Sequence, residues 1–110
     1  AVIIGQGTVI MAHSDVHPGT VICQHVIINT SASVDHDCQL GDFVHVAPGS
    51  HLAGQVSMGK GVFAGIGSNY LPGVQVGHWS KIGGGAVVIH NLDEHCLAVG
   101  VPAKIIKILI

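Results

Sequence analysis

The stretch VDHDCQLGDFVHVAPGSHLAG, Val34 to Gly54, carries an aliphatic residue at every sixth position: Val34, Leu40, Val46 and Leu52. Four residues after each comes a small or β-branched one: Cys38, Val44, Ser50 and Val56. A helix repeats its face about every 3.6 residues and a strand about every two. A period of six fits neither alone, but it fits a short strand followed by a tight corner. Counting outward, the aliphatic column runs back through Ile28, Ile22, Val16 and Ile10 to Ile4, and forward through Met58, Val76 and Ile82 to Val88. Only Ala64 and Tyr70 depart from it, and no insertion breaks the count. The small column runs from Thr8 to Ala86, and only Leu92 breaks it. So long a run excludes an accidental rhythm in an ordinary β-domain.

Three such units close a coil of 18 residues, and five coils stack as parallel strands about 4.8 Å apart. The expected fold is all-β: one domain, residues 1–110, a parallel β-helix of about five coils with a short C-terminal tail. Glycines that follow the aliphatic column, such as Gly5, Gly41, Gly59, Gly65, Gly77 and Gly83, are expected to give the corners a permissive backbone. The period leaves the hand open, although parallel crossovers are in general right-handed. The first coil begins without a cap, so its interior is expected to be open and adhesive.

The composition narrows the function. The chain is 48% hydrophobic and 9% charged, with a net charge of −2 and no arginine. So little charge implies a surface covered by further copies of the chain. Nucleic-acid binding, which needs a basic patch, is not expected. Cys23, Cys38 and Cys96 lack zinc-type spacing and read as reduced thiols of a cytoplasmic protein. No apolar run is long enough for a membrane span, and a signal peptide is not expected.

Against this background the quoted stretch is unusual. Asp35, Asp37 and Asp42 supply half of the chain's six acids, beside His36, His45 and His51. Residues 18 apart share a column, so His36 lies below Gly54, and Asp35 lies above His17. Ile66 and Gly84 share another column. His36 occupies a third hexad position, which is free to face outward.

The run Asp35-His36-Asp37-Cys38, continued by Gly41-Asp42-Phe43-Val44-His45, resembles the hexapeptide-repeat acetyltransferases that act on sugars in bacterial sialic-acid and diamino-sugar pathways. The tail LAVGVPAKIIK, Leu97 to Lys107, is similar to their closing motif, with Val101 where Asn is more usual. The resemblance implies a left-handed β-helix, a homotrimer and acetyl-CoA as cosubstrate, with no metal. It implies that His36 is the catalytic base, that Asp37 raises its basicity, and that His45, Ile66 and Gly84 contact acetyl-CoA. It also implies a further N-terminal α/β domain that binds the nucleotide-sugar; this chain enters the repeats at Ile4 instead.

The chemistry agrees with these roles. Acetyl transfer from a thioester needs a base for the attacking amine or hydroxyl, and histidine suits that near neutral pH. The developing oxyanion needs a donor; Gly54 is expected to offer its N–H, bare because the residue has no side chain. The expected reaction is acetylation of an amino group on a nucleotide-linked sugar. The alternatives are O-acetylation of a sialic acid and a non-catalytic trimerisation module. A zinc hydratase site fits less well, because Pro72 lies two coils above His36 in its column. Ice binding fails for want of any Thr-x-Thr, and a dinucleotide loop fails for want of a third glycine at Gly65-Ile66-Gly67.

Overall fold

A computed structural model describes residues 1–110. It is a three-faced prism built of two-residue strands. Face A stacks β1 (Ile3–Ile4), β4 (Val21–Ile22), β7 (Gln39–Leu40), β10 (Ser57–Met58) and β13 (Gln75–Val76). Face B stacks β2 (Val9–Ile10), β5 (Ile27–Ile28), β8 (His45–Val46), β11 (Phe63–Ala64) and β14 (Lys81–Ile82), then β16 (Cys96–Val99) and β17 (Lys104–Ile108). Face C stacks β3 (Asp15–Val16), β6 (Ser33–Val34), β9 (His51–Leu52), β12 (Asn69–Tyr70) and β15 (Val87–Val88).

The register confirms the 18-residue coil. Ile27 pairs with His45 and His45 with Phe63, all parallel. The tail alone turns back: β17 pairs antiparallel with β16. The aliphatic column is buried from Ile22 to Val88, and the small column from Thr20 to Leu92. In the first coil Ile4 is 49% exposed and Ile10 39% exposed. Tyr70, the bulky exception, is buried and hydrogen-bonds Ser68 Oγ at 2.9 Å. Burial raises its hydroxyl pKa above the ordinary tyrosine value.

The corners correct the expectation about glycine. The left-handed position is the fourth of each hexad, not the second: from Gly7 to Gly85, the fourth residue of every hexad has positive φ. Several of these are not glycine, among them His25 (φ 57°), Asp37 (57°), Phe43 (62°) and Trp79 (59°). The N–H of the fifth residue bonds the carbonyl of the second, as in Ala32 to Asn29 at 3.1 Å. This is a type II turn, which calls for φ > 0 at its third residue and favours proline at its second. Pro18, Pro48 and Pro72 all occupy that second turn position, the third of the hexad. The second-position glycines serve a different need, which is close approach. A Cβ on Gly65 would lie 2.3 Å from the Ile82 carbonyl oxygen of the next coil.

Candidate active site

His36 and Asp37 are the two central residues of the corner that joins face C to face A. Strand β6 feeds this corner and β7 leaves it. Asp35 caps the turn: its Oδ1 accepts the His36 N–H at 2.7 Å and lies 3.5 Å from His17 Nδ1 of the coil below. The left-handed φ of Asp37 brings its carboxylate round to the imidazole, with Oδ2 3.0 Å from His36 Nδ1. The carboxylate also lies against Gly19 of the coil below, where an added Cβ would sit 1.9 Å from Oδ1. Because an ionised carboxylate only accepts, Nδ1 carries the proton and Nε2 is left with a free lone pair.

The imidazole lies over Gly54. An ideal Cβ there would stand 2.3 Å from His36 Nε2. A glycine at this place therefore has a further reason: the missing side chain makes room for the base. Gly54 is buried beneath the ring, and its N–H donates to no protein acceptor. Leaving a buried donor unpaired costs about 1–3 kcal/mol, so this amide calls for an oxygen that the chain itself does not supply.

Where the third position is not proline its N–H has no backbone acceptor, and side chains close several of these amides. Asp42 Oδ1 takes the Gln24 N–H at 2.8 Å, and His78 Nδ1 takes the Lys60 N–H at 2.8 Å. Ile66 and Gly84 stack at the corner between faces B and C, both exposed, and their N–H groups have no protein acceptor. His45 stands elsewhere, half-buried on face B, with Nε2 3.2 Å from Asn29 Nδ2 and its ring edge-on to Phe63 at 5.2 Å. One chain thus unites His36, Asp37 and Gly54, and separately Ile66 and Gly84, but it does not bring these groups together.

Burial lowers the His45 pKa from its ordinary value. A base depressed in the folded state binds fewer protons than in the unfolded one, so the fold loses stability as pH falls below the ordinary histidine range. Urea unfolding on acidifying from about pH 7 to about pH 5 should show a smaller loss of stability in His45→Gln than in the native chain. An unchanged loss would assign it to other histidines.

The sequence reading missed Asp35 as a cap and Asn29 as a partner of His45. It also missed the free amides of Ile66 and Gly84, which the prolines at the same hexad position could have signalled. A groove of about 910 Å³ runs up face A, lined by Gln39, Asp42, Ser57, Lys60, Gln75 and Asn91 among others. It does not include His36, Asp37 or Gly54. No three His, Cys, Asp or Glu side chains gather in a metal-holding arrangement. No helix is long and apolar enough to cross a membrane.

No family model matches the chain. Solved structures do. The acetyltransferase domain of PglB from Neisseria gonorrhoeae superposes with a TM-score of 0.95 at 41% identity, covering 96% of this chain and 51% of that one. The same domain has been solved with acetyl coenzyme A. PerB from Caulobacter crescentus, in complex with CoA and GDP-perosamine, superposes at 0.77 with 36% identity, covering 96% of this chain and 58% of that one. The chain is a hexapeptide-repeat acetyltransferase domain. A serine acetyltransferase from Mycobacterium tuberculosis is 31% identical over 109 residues, which are 90% of this chain and 48% of that protein. The domain thus spans about half the length of these relatives.

Proposed function

We propose that this domain transfers the acetyl group of acetyl-CoA to the amino group of a nucleotide-linked sugar, in a site shared between chains of a homotrimer. The observation that carries the reading is the His36–Asp37 pair laid over the unpaired amide of Gly54. The relatives support the acceptor class. Identity is higher to PglB, at 41%, than to the serine acetyltransferases, at 31%, 34% and 36%, and PerB was solved with a nucleotide-linked sugar. Further structures of the Caulobacter perosamine N-acetyltransferase replace one of its histidines by Asn and by Ala.

In this reading the neutral amine attacks the thioester carbonyl carbon, and His36 Nε2 takes one of its protons as the C–N bond forms. Asp37 keeps Nδ1–H oriented and favours the imidazolium. The carbonyl oxygen becomes an oxyanion facing the Gly54 N–H, a donor already fixed in place. Collapse breaks the C–S bond, and the imidazolium returns the proton to the departing CoA thiolate. The two bare amides of Ile66 and Gly84 suit a pantetheine arm, whose own amide carbonyls lack donors. Side-chain amides in the face A groove suit sugar hydroxyls. The three unpaired thiols fit a cytoplasmic setting.

Mixing two inactive variants tests the shared site. His36→Ala spoils one corner, and Gly84→Trp blocks the other. Each homotrimer should be inactive towards a nucleotide-linked amino sugar. Random mixing around a three-fold axis restores about a quarter of the sites to a fully native pair. Recovery of activity near that level is expected, whereas none would mean that each site is built by one chain.

A further inference from the structure

The two residues that depart from the aliphatic column, Ala64 and Tyr70, stand next to each other in it, and both are buried. The smallest side chain of the column thus precedes the largest, which balances volume within the coil. What the pair adds is a hydroxyl inside an apolar core. Tyr70 Oη lies 2.9 Å from Ser68 Oγ, and Ser68 Oγ lies 2.7 Å from the Gly65 carbonyl oxygen and 3.0 Å from Ser50 Oγ. Both serines are fully buried.

Counting protons fixes the direction of these bonds. The Gly65 carbonyl can only accept, so the Ser68 hydroxyl gives it its single proton. Ser68 has none left for Tyr70, and Tyr70 must donate to Ser68. Burial, which raises the Tyr70 pKa, keeps that proton in place. The relay ends on the peptide group that carries the bare Ile66 amide: Gly65 C=O and Ile66 N–H share one planar trans unit and point in opposite directions. The Ser68 N–H also bonds the Gly65 oxygen, at 3.1 Å. Two donors inside the corner thus hold the oxygen inward and the Ile66 N–H outward, and they polarise that N–H toward stronger donation. Gly84 has no such brace, because Ala86 offers the Gly83 oxygen only its N–H, at 3.3 Å. Nor is this the usual direction for a hydroxyl at the fifth hexad position. Thr8, Thr20, Ser50 and Ser80 bond carbonyls of the next coil, and only Ser14, in the exposed first coil, also turns back on its own corner.

We propose that Tyr70 and Ser68 are positioning residues for acetyl-CoA: the Tyr70 hydroxyl holds Ser68 on the Gly65 carbonyl, and this fixes the Ile66 N–H toward a carbonyl of the pantetheine arm. Their role depends on the reading above that the Ile66 amide contacts the cofactor. Neither side chain reaches the ligand, since both are buried. His36, which acts on the acceptor in that reading, stands on a different corner. Loss of the relay therefore weakens acetyl-CoA binding and leaves the chemical step alone.

Calorimetry with acetyl-CoA on the purified chain tests this role. Tyr70→Phe removes only the hydroxyl and should raise the Kd about 2–5-fold, within the worth of one hydrogen bond. KM for acetyl-CoA should follow, with kcat unchanged. Ser68→Ala should weaken binding at least as much, and Ser68→Thr should restore it. Tyr70→Phe added to Ser68→Ala should cost nothing further, because Tyr70 acts only through Ser68. Ile66→Pro, which deletes the N–H at a position where other corners carry proline, should raise the Kd about 10-fold. Circular dichroism checks the strands; if Ser68→Ala loses them, Tyr70→Phe, which keeps the packing, decides. Native affinity in Tyr70→Phe and Ser68→Ala beside a weakened Ile66→Pro would overturn the relay alone, as would additive losses in the double variant. Native affinity in Ile66→Pro would overturn the Ile66 contact on which the relay depends, and a native chain that binds no acetyl-CoA would overturn the functional reading itself.

Discussion

His36→Ala should lower kcat/KM for acetyl transfer by about 10²–10⁴-fold, the usual worth of a general base, and leave the fold intact. Both halves of that expectation come from the corner. The side chain of His36 is 56% exposed, so its removal opens no cavity in the core. The backbone turn is held by the Asp35 cap on the His36 N–H, which alanine keeps. What disappears is Nε2, the nitrogen with a free lone pair beside the Gly54 amide. Asp37→Asn should cost less, since the imidazole remains and only its orientation and the charge beside it change. Steady-state kinetics on a nucleotide-linked amino sugar checks both. Near-normal turnover in His36→Ala would remove the base from this corner and make His45 the next candidate.

Gly54→Ala should cost about 10²-fold in kcat, the order expected when a catalytic group is displaced by about an ångström, with an almost unchanged urea midpoint. The added Cβ would lie 2.3 Å from Nε2 and 2.6 Å from Cε1, so the ring must swing away. It can do so at small cost to stability because it is largely exposed. Gly54→Pro carries the same obstruction and also removes the N–H, so it should lose a further 10²–10³-fold or so, the worth of one oxyanion donor. The coil should accept proline here, since Pro72 stands directly above in the same column and Pro18 two coils below. The gap between the two variants measures the amide alone. If alanine and proline give equal rates, the oxyanion is held by another donor.

Much of this architecture is legible in the sequence because a solenoid writes its geometry into a fixed period. Every sixth residue faces inward, so Ile22 to Val88 announce the core without any long-range guess. The stacking of Asp35 over His17, and of Gly54 over His36, follows from counting 18. What cannot be counted is conformation at the corner. Phe43 and Trp79 give no sign that they adopt a left-handed backbone, since ordinarily only glycine or asparagine does so readily. Their φ is imposed by the ladder bonds on either side. Contacts off the period escape as well. Asn29 meets His45 sixteen residues away, between a corner and a strand, where no column connects them. The same holds for Gly54: its place was readable, but the ring lying on it was not, because a rotamer leaves no trace in the spacing.

The corner amides make the prism a graduated scale. Each third position offers one outward donor, and successive donors stand one strand spacing apart, about 4.8 Å. Along this scale three marks are erased by a proline, and four are covered by a carboxylate, an amide or an imidazole. The others are left bare. The chain thus encodes the distance between its base and its cofactor contacts as a whole number of coils. His36 and Gly84 differ by 48 residues, which is eight hexads. Eight is not a multiple of three, and that remainder puts the two on different corners. Evolution can lengthen the reach of such a site by adding a complete coil, but only a change in the remainder would move it to another edge of the prism.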